Sequence, residues 1–555
     1  MTTSIRLLAI SAIAVVAMLT AIPSYAQVQY TVGEGFEVVW TLDPRSDPTH
    51  FTRGPTFGAR SVFTGMDFDG DGNKEFLFTH DETISSPAVD PGFLDLYLYE
   101  NNGDNSYEYV WHYTHTDASN SFPPVVYGDL DGDSLWEIYL GIPTLPPDST
   151  ELFIFEQDDQ GVFPATPTAT YHYERGGDAD FRPSGFQIAD VDGDDELELV
   201  TISRTANARE LVIISPDAGI DAFATFTIEF EAGNAILQGG NLFDVMVVDF
   251  DGDGLNEIWV NTWDNWSMSI FEATGPDTYA LQVDLDGFNP VNDPGSTNAH
   301  DMYFADLEGN DGVLEGYFPM SDGLFYYLPP STDVSTIVGT DFVTVGAFGA
   351  RARGAHMGDI DGDGLTDFVA TTHSDETIER FEFQGTGSPA DSASYEWTTI
   401  LDSSDPLTTV VVADEVYYPL RITDDLDGDG RNEVVLTNLH ASDEGQHIII
   451  ILEHATVAPG VERGKAVLDG FTLYPTYPNP FSDRTLVRME LERPGDVTLE
   501  VFDVTGRRVR VLDSGMRAAG EHEIEFRADD LPGGLYIVRL MTPSGSLTRT
   551  ALLVK

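Results

Sequence analysis

The chain has no cysteine, so no disulfide pins its loops, no thiol acts as a nucleophile and no lipid-bearing N-terminal cysteine anchors it. Lysine is almost missing as well. Lys74, Lys465 and Lys555 are the only ones, and Lys and Arg together number 27 against 94 Asp and Glu, a formal charge of −67. Nucleic-acid binding needs clustered cations to displace counterions, so a surface this acidic excludes nucleic acid as a partner. Anionic membranes and polyanionic substrates are disfavoured too, although salt screens part of the repulsion. Past the N-terminus no apolar run is long enough to cross a bilayer, so no transmembrane segment is expected after signal cleavage. Neither a Gly-x-Ser-x-Gly elbow nor a His-Glu-x-x-His pair occurs, which leaves any catalytic residue unassigned.

What the chain does have is length and an ordinary apolar content. Its 555 residues exceed what one hydrophobic core usually supports, so two or more folding units are expected. Residues 1–26 read as a secretory signal: Arg6, the apolar stretch Leu7 to Leu19, then Ser24-Tyr25-Ala26 as the cleavage site. An exported protein without disulfides needs another way to fix its loops, and bound metal is the obvious candidate. Residues 466–555 carry 11 basic and 13 acidic side chains, so almost all of the negative charge lies before them.

Aligning the acidic clusters exposes a repeat. The first four are Asp67-Phe-Asp69-Gly-Asp71-Gly-Asn73-Lys-Glu75, Asp129-Leu-Asp131-Gly-Asp133-Ser-Leu135-Trp-Glu137, Asp190-Val-Asp192-Gly-Asp194-Asp-Glu196-Leu-Glu198 and Asp249-Phe-Asp251-Gly-Asp253-Gly-Leu255-Asn-Glu257. A degenerate fifth, Asp306-Leu-Glu308-Gly-Asn310, has its final acid displaced to Glu315. Asp359-Ile-Asp361-Gly-Asp363-Gly-Leu365-Thr-Asp367 and Asp425-Leu-Asp427-Gly-Asp429-Gly-Arg431-Asn-Glu433 complete the set. Their first aspartates are 62, 61, 59, 57, 53 and 66 residues apart.

Each cluster lies between two β-prone runs, and two more strand-like runs come before the next. Four strands per period of this length predict a propeller blade, and seven periods predict a seven-bladed β-propeller over residues 27–455. The seventh period lacks its outer strand, while the mature N-terminus has a spare one, Phe36 to Leu42. That strand is expected to complete the last blade and close the ring, removing sheet edges that would invite aggregation.

Calcium is a hard cation that takes six to eight oxygens. Acids at positions 1, 3 and 5 can converge on one ion because glycine at 4 and 6 lets the loop fold around it. Position 7 offers a carbonyl (Asn73, Leu135, Glu196, Leu255, Leu365 and Arg431), and the acid at 9 closes the shell. Without an ion these carboxylates repel one another. The spacing therefore predicts about six or seven structural Ca2+ ions, with the fifth loop left open, and binding free energy that becomes folding free energy.

The Asp-x-Asp-Gly-Asp-Gly loops resemble FG-GAP/VCBS repeats, the blades of integrin-α-like propellers. The stretches Phe57-Gly-Ala-Arg60 and Phe348-Gly-Ala-Arg351 fit that pattern loosely. The resemblance implies that the loop acids are the calcium ligands. It does not fix a function, since the family spans adhesion, lectin-like and enzymatic proteins.

Residues 456–470 read as a linker, and 471–555 as a small C-terminal β-sandwich. Tyr477-Pro-Asn-Pro-Phe481, Val501-Phe-Asp-Val-Thr-Gly506-Arg507, Leu531-Pro-Gly-Gly-Leu-Tyr536 and Leu552-Leu-Val-Lys555 resemble the type A C-terminal sorting domain of the type IX secretion system. The resemblance implies that secretion machinery as a partner, and a secreted or outer-surface location.

The expectation for function is recognition or adhesion, with a glycan or a surface protein as ligand. Trp263 to Trp266 and Tyr107 to Tyr113 offer aromatics for sugar stacking, although blade packing explains such residues better. The alternatives are a glycoside hydrolase or polysaccharide lyase on the same scaffold, or a structural surface-layer component. His300 and His356 precede acidic loops and could line the channel, although a hydrogen-bonded structural role explains such histidines better. A cluster of His, Arg, Tyr and acid at one mouth of the channel would favour the enzyme.

Overall fold

A computed structural model describes the chain between residues 31 and 553. It leaves aside 1–30, 52–57, 82–91, 119–122, 143–150, 174–180, 204–208, 217–224, 238–240, 263–266, 286–300, 308–312, 348–351, 373–376, 403–416, 439–446, 455–465, 474–480 and shorter stretches of one to three residues. The signal segment, His300, Glu308, Asn310 and Trp263 to Trp266 lie outside the described residues.

The described chain is almost all β. Its larger part forms seven antiparallel sheets, six built around four strands in sequence order and the seventh around three such strands and one from the start of the chain. The first comprises Gly58–Met66, Glu75–Asp81, Gly92–Gly103 and Ser106–Ala118, and the fourth comprises Leu242–Val248, Glu257–Thr262, Met268–Gly275 and Thr278–Leu285. Strand position in the sheet explains sequence pattern. Second strands such as Glu257–Thr262 are buried along their whole length because neighbouring sheets cover both faces, so they read as continuous apolar runs. Fourth strands such as Phe226–Gly233 lie at the rim, most of their residues exposed or half-buried.

Apolar clusters join each sheet to the next. Leu77 and Leu96 of the first sheet meet Ile138 and Phe155 of the second. Similar clusters join the second to the third, and so on to the seventh. Val435 and Ile449 of the seventh then pack on Phe76 and Tyr97 of the first, which closes a ring. The chain's own start makes the closure: Phe36–Leu42 pairs antiparallel with Ile449–His454, Phe36 opposite His454 and Leu42 opposite Ile449. The spare N-terminal strand thus completes the seventh sheet. A further strand, Thr31–Val32, adds to the outer edge of the sixth sheet beside Leu401 and Asp402, a contact that sequence patterning did not suggest.

First strands of neighbouring sheets touch one another and therefore face the axis of the ring. The approach is close: a Cβ on Gly358 would lie 2.6 Å from Cγ2 of Ile422 in the next sheet. Along these strands many residues are half-buried rather than fully buried, as in Leu242–Val248.

The C-terminal part is a two-layer sandwich. One sheet runs Ala466–Leu468, Phe471–Leu473, Arg484–Leu491, Gly520–Arg527, and the other Arg508–Arg517, Gly495–Asp503, Gly534–Thr542, Gly545–Leu553. Met489 and Phe526 from one layer meet Val501 and Val538 from the other. Ala466–Leu468 falls within the stretch read as a linker, and it pairs with Phe471–Leu473. Glycine-rich composition marks hairpin connections as readily as linkers.

Candidate metal centres

Between the first and second strands of the first four sheets and of the sixth and seventh, the chain makes a tight loop held by its own aspartates. In the fourth sheet Asp249 accepts from the backbone N–H of Gly252 at 2.9 Å and of Gly254 at 3.1 Å, and Asp253 accepts from Leu255 at 2.9 Å. Asp67, Asp129, Asp359 and Asp425 likewise accept from the residue five further on. Asp71, Asp133, Asp194, Asp363 and Asp429 accept from Asn73, Leu135, Glu196, Leu365 and Arg431. These turns require left-handed backbone: Gly252 and Gly254 have φ of 74° and 93°. The second loop reaches the same conformation with Ser134 at φ 76°, a strained choice for a residue with a side chain.

The ninth-position acid opens the second strand and is turned inward. Glu257 is fully buried, and its Oε2 accepts from the N–H of Phe250 at 2.8 Å. Glu75, Glu137, Glu198, Asp367 and Glu433 make the same bond to Phe68, Leu130, Val191, Ile360 and Leu426. In the fifth sheet Glu315 takes this place, accepting from Leu307 at 2.9 Å across eight residues instead of seven.

One carboxylate oxygen at several loops is left over. Oε1 of Glu137, Glu257 and Glu433, and Oδ1 of Asp129, Asp192 and Asp251, are buried with no hydrogen-bond partner. In the second, fourth and seventh loops the four acids at positions 1, 3, 5 and 9 each bring an oxygen within 4.8 Å of the others. The same holds for Asp67, Asp69 and Asp71 in the first loop and for Asp190, Asp192 and Asp194 in the third. Burial, followed by repulsion from the loop aspartates, pushes Glu75, Glu137, Glu198 and Glu257 up to about 8 and Glu433 up to about 9. Converging anionic oxygens with unsatisfied lone pairs are costly by themselves. As a donor set, hard, flexible and all oxygen, they suit a large divalent cation such as calcium.

In the third, fourth and seventh loops the third-position acid also ties the loop to the next sheet. Oδ2 of Asp427 accepts from Asn105 N–H at 2.6 Å, that of Asp192 from Asp277 at 2.5 Å and that of Asp251 from Val334 at 3.0 Å. Each donor sits in the connection between the third and fourth strands of the following sheet. Across the ladder, Glu100, Glu156, Glu272, Glu382 and Glu453 stand opposite the ninth-position acids. Spacing within the loops missed this further carboxylate. Its signal is an acid closing five of the third-strand runs, as in Tyr97-Leu-Tyr-Glu100 and Ile450-Ile-Leu-Glu453.

The aromatics singled out for sugar stacking divide. Tyr107 and Trp111 are buried in inter-sheet clusters, and the Trp111 ring N–H donates to Pro164 O at 3.0 Å, so both are packing residues. His356, by contrast, lies on an axial strand among polar neighbours. Asp244, Asp301, Tyr303, His356 and Arg421 come from the axial sides of the fourth to seventh sheets, and each is half-buried. Asp244 accepts from Met302 N–H at 3.2 Å, Asp301 from Ala355 at 2.9 Å, and Nδ1 of His356 from Ile422 at 3.2 Å. The rings of Tyr303 and His356 meet edge to face, and Arg421 lies over Phe63. Burial pushes Asp301 up to about 6, with Arg421 working against it, and burial and Arg421 together push His356 down to about 3. Burial and the neighbouring Asp301 raise Asp244.

Among the described residues no helix is long and apolar enough to cross a membrane. A model of FG-GAP-like repeats matches residues 67–140, and a model of the secretion system C-terminal sorting domain matches residues 475–555. No curated protein matches the chain in sequence. Solved structures similar to it include the exotype rhamnogalacturonan lyase YesX, 14% identical with a TM-score of 0.42, covering 73% of each chain. A lectin of Agrocybe aegerita specific for terminal N-acetylglucosamine is 12% identical with a TM-score of 0.40, covering 71% of this chain and 89% of its own. A copper-bound fungal alcohol oxidase is 10% identical with a TM-score of 0.40, covering 96% and 100%. Likeness at this level carries nothing about activity.

Proposed function

We propose, for a chain that carries an FG-GAP-like repeat and a type IX sorting tail, that it is a calcium-stabilised propeller recognising a glycan or protein ligand outside the cell. The sorting domain indicates export to the cell surface or into the medium. In this reading residues 1–26 direct the first membrane crossing, 27–455 form seven blades, and 471–555 address the chain to the type IX machinery. The ions are structural. The loop acids at positions 1, 3, 5 and 9 hold them, helped by the carbonyl at position 7, and each neutralises buried carboxylate oxygens that lack a partner.

Recognition at the axis is supported by the group Asp244, Asp301, Tyr303, His356 and Arg421. Carboxylates that accept, a guanidinium that donates and a phenol that does both suit a hydroxylated ligand such as a sugar. The same group supports a second reading, a carbohydrate-active enzyme: Asp301, pushed up to about 6, suits general acid–base work near neutral pH.

The test is a glycan-array screen of the full chain in calcium, in chelator, and with Asp244→Asn or Arg421→Leu. Binding lost in chelator and in both variants supports the reading. Retention of binding in both variants would move the ligand away from the axis. Bound glycans are then incubated with the protein, and release of shortened products identifies the enzyme. Failure to bind any glycan, with the protein folded, leaves a protein ligand.

A further inference from the structure

The sixth loop departs from the others. Asp367 closes it, one methylene shorter than the Glu found at this place elsewhere. Its Oδ2 accepts from Ile360 N–H at 2.7 Å, as expected of the ninth acid, but its Oδ1 is not open. That oxygen accepts from Nε of Arg380 at 2.6 Å. Nη2 of the same guanidinium reaches Oδ2 of Asp361 at 2.7 Å and also bonds Glu382. Three acids of one centre, at positions 3 and 9 and across the ladder, are thus bound by one arginine whose side chain is only 11% exposed.

Arg380 stands opposite Val369 on the third strand, two residues before Glu382. At the same register the other six sheets carry Leu98, Ile154, Ile213, Ile270, Tyr327 and Ile451. Where Asp192, Asp251 and Asp427 give Oδ2 to a backbone N–H of the next sheet, Asp361 gives it to the guanidinium. The carboxylates around Arg380 raise its pKa and hold it charged. A planar fork of N–H donors matches carboxylates and delivers positive charge to the oxygens a divalent ion would use. The shorter Asp367 leaves room for that fork.

We infer that Arg380 closes the sixth loop in place of a cation, so that the chain binds no ion there. The inference rests on the calcium reading of the other loops. Its consequence is local: the sixth sheet packs on the seventh, where Phe36–Leu42 pairs with Ile449–His454, and this side of the ring keeps its loop when calcium is withdrawn.

The test counts calcium per full-length chain by equilibrium dialysis and elemental analysis, for the wild type, Asp253→Asn in the fourth loop and Asp363→Asn in the sixth. Both aspartates are exposed, and asparagine keeps the oxygen that accepts from Leu255 or Leu365, so each loop keeps that backbone hydrogen bond. Asp253→Asn is expected to lose one ion and Asp363→Asn none. Loss of one ion in Asp363→Asn overturns the inference. Arg380→Leu should gain one ion, and an unchanged count in the folded variant also counts against it. In chelator, hydrogen exchange should speed up in Glu257–Thr262 and stay unchanged in Asp367–Thr372; equal acceleration would contradict the inference. A wild-type chain that binds no calcium removes the reading of the other loops and this contrast with it, whereas ions lost from both loops alike defeat the contrast alone.

Discussion

Replacing Glu257 by Gln should stabilise the protein without calcium and destabilise it with calcium. Glu257 is fully buried, with one oxygen on the N–H of Phe250 and the other unpartnered beside Asp249 and Asp251. Burial moves it from an ordinary 4.5 to about 8. For a carboxylate raised in this way, stability is present below the unfolded value and is lost as the pH climbs toward the folded one. At pH 7 the ion-free protein therefore gives up about 3 kcal/mol at this residue. Glutamine keeps an oxygen for Phe250 and carries no charge, so in chelator the variant should gain stability up to that amount. In calcium the variant lacks an anionic ligand. A 10–100-fold loss of ion affinity, of the order seen for perturbed metal sites, costs ~1–3 kcal/mol by linkage. Urea unfolding at pH 7, in millimolar calcium and in chelator, measures both. Equal destabilisation in the two conditions would refute the reasoning, because Oε1 would then not face an ion.

Gly358→Ala should destabilise by about 1–3 kcal/mol, since its Cβ would overlap Ile422 across neighbouring axial strands; an unchanged unfolding midpoint would show that the ring spreads freely. His356 should make the protein acid-sensitive. Its folded value, about 3, lies below the ordinary 6.5, so it costs nothing above pH 6.5 and removes about 1.4 kcal/mol per pH unit below it. Arg421 faces it, with Tyr303, Asp301 and Asp244 near, and the two acids titrate with the opposite sign. The measurement is therefore the difference between wild type and His356→Gln from pH 6.5 to 5, expected to be about 2 kcal/mol; parallel profiles would exclude the role.

The loops were legible because each is a local device. Acids at 1, 3, 5 and 9, with glycines between, can be read within nine residues, and the hydrogen bonds of Asp249, Asp253 and Glu257 obey that spacing. The closing strand was legible for a different reason: an unpaired strand at one end and a missing one at the other leave a single economical pairing. Features that depend on sheet register or on the ring could not be read. Arg380 looks like any arginine in an exposed strand until pairing sets it two residues from Glu382 against Asp367. Glu100 and Glu272 stand against Glu75 and Glu257 only through the register of the ladder. Asp244, Asp301, Tyr303, His356 and Arg421 span well over a hundred residues of sequence and meet only because the axial strands converge.

The pairing of Phe36–Leu42 with Ile449–His454 also sets an order on assembly. A chain crossing a membrane N-terminus first presents its clasp before the partner for that clasp exists. The first sheet can form while the rest is still in transit, but the ring cannot lock until residue 454 has emerged. Linking positions so far apart carries the largest loop-closure entropy in the molecule, so locking should be the slow step of folding. Once made, the lock does not depend on the C-terminal sandwich: proteolytic loss of everything beyond His454 removes no strand from the ring.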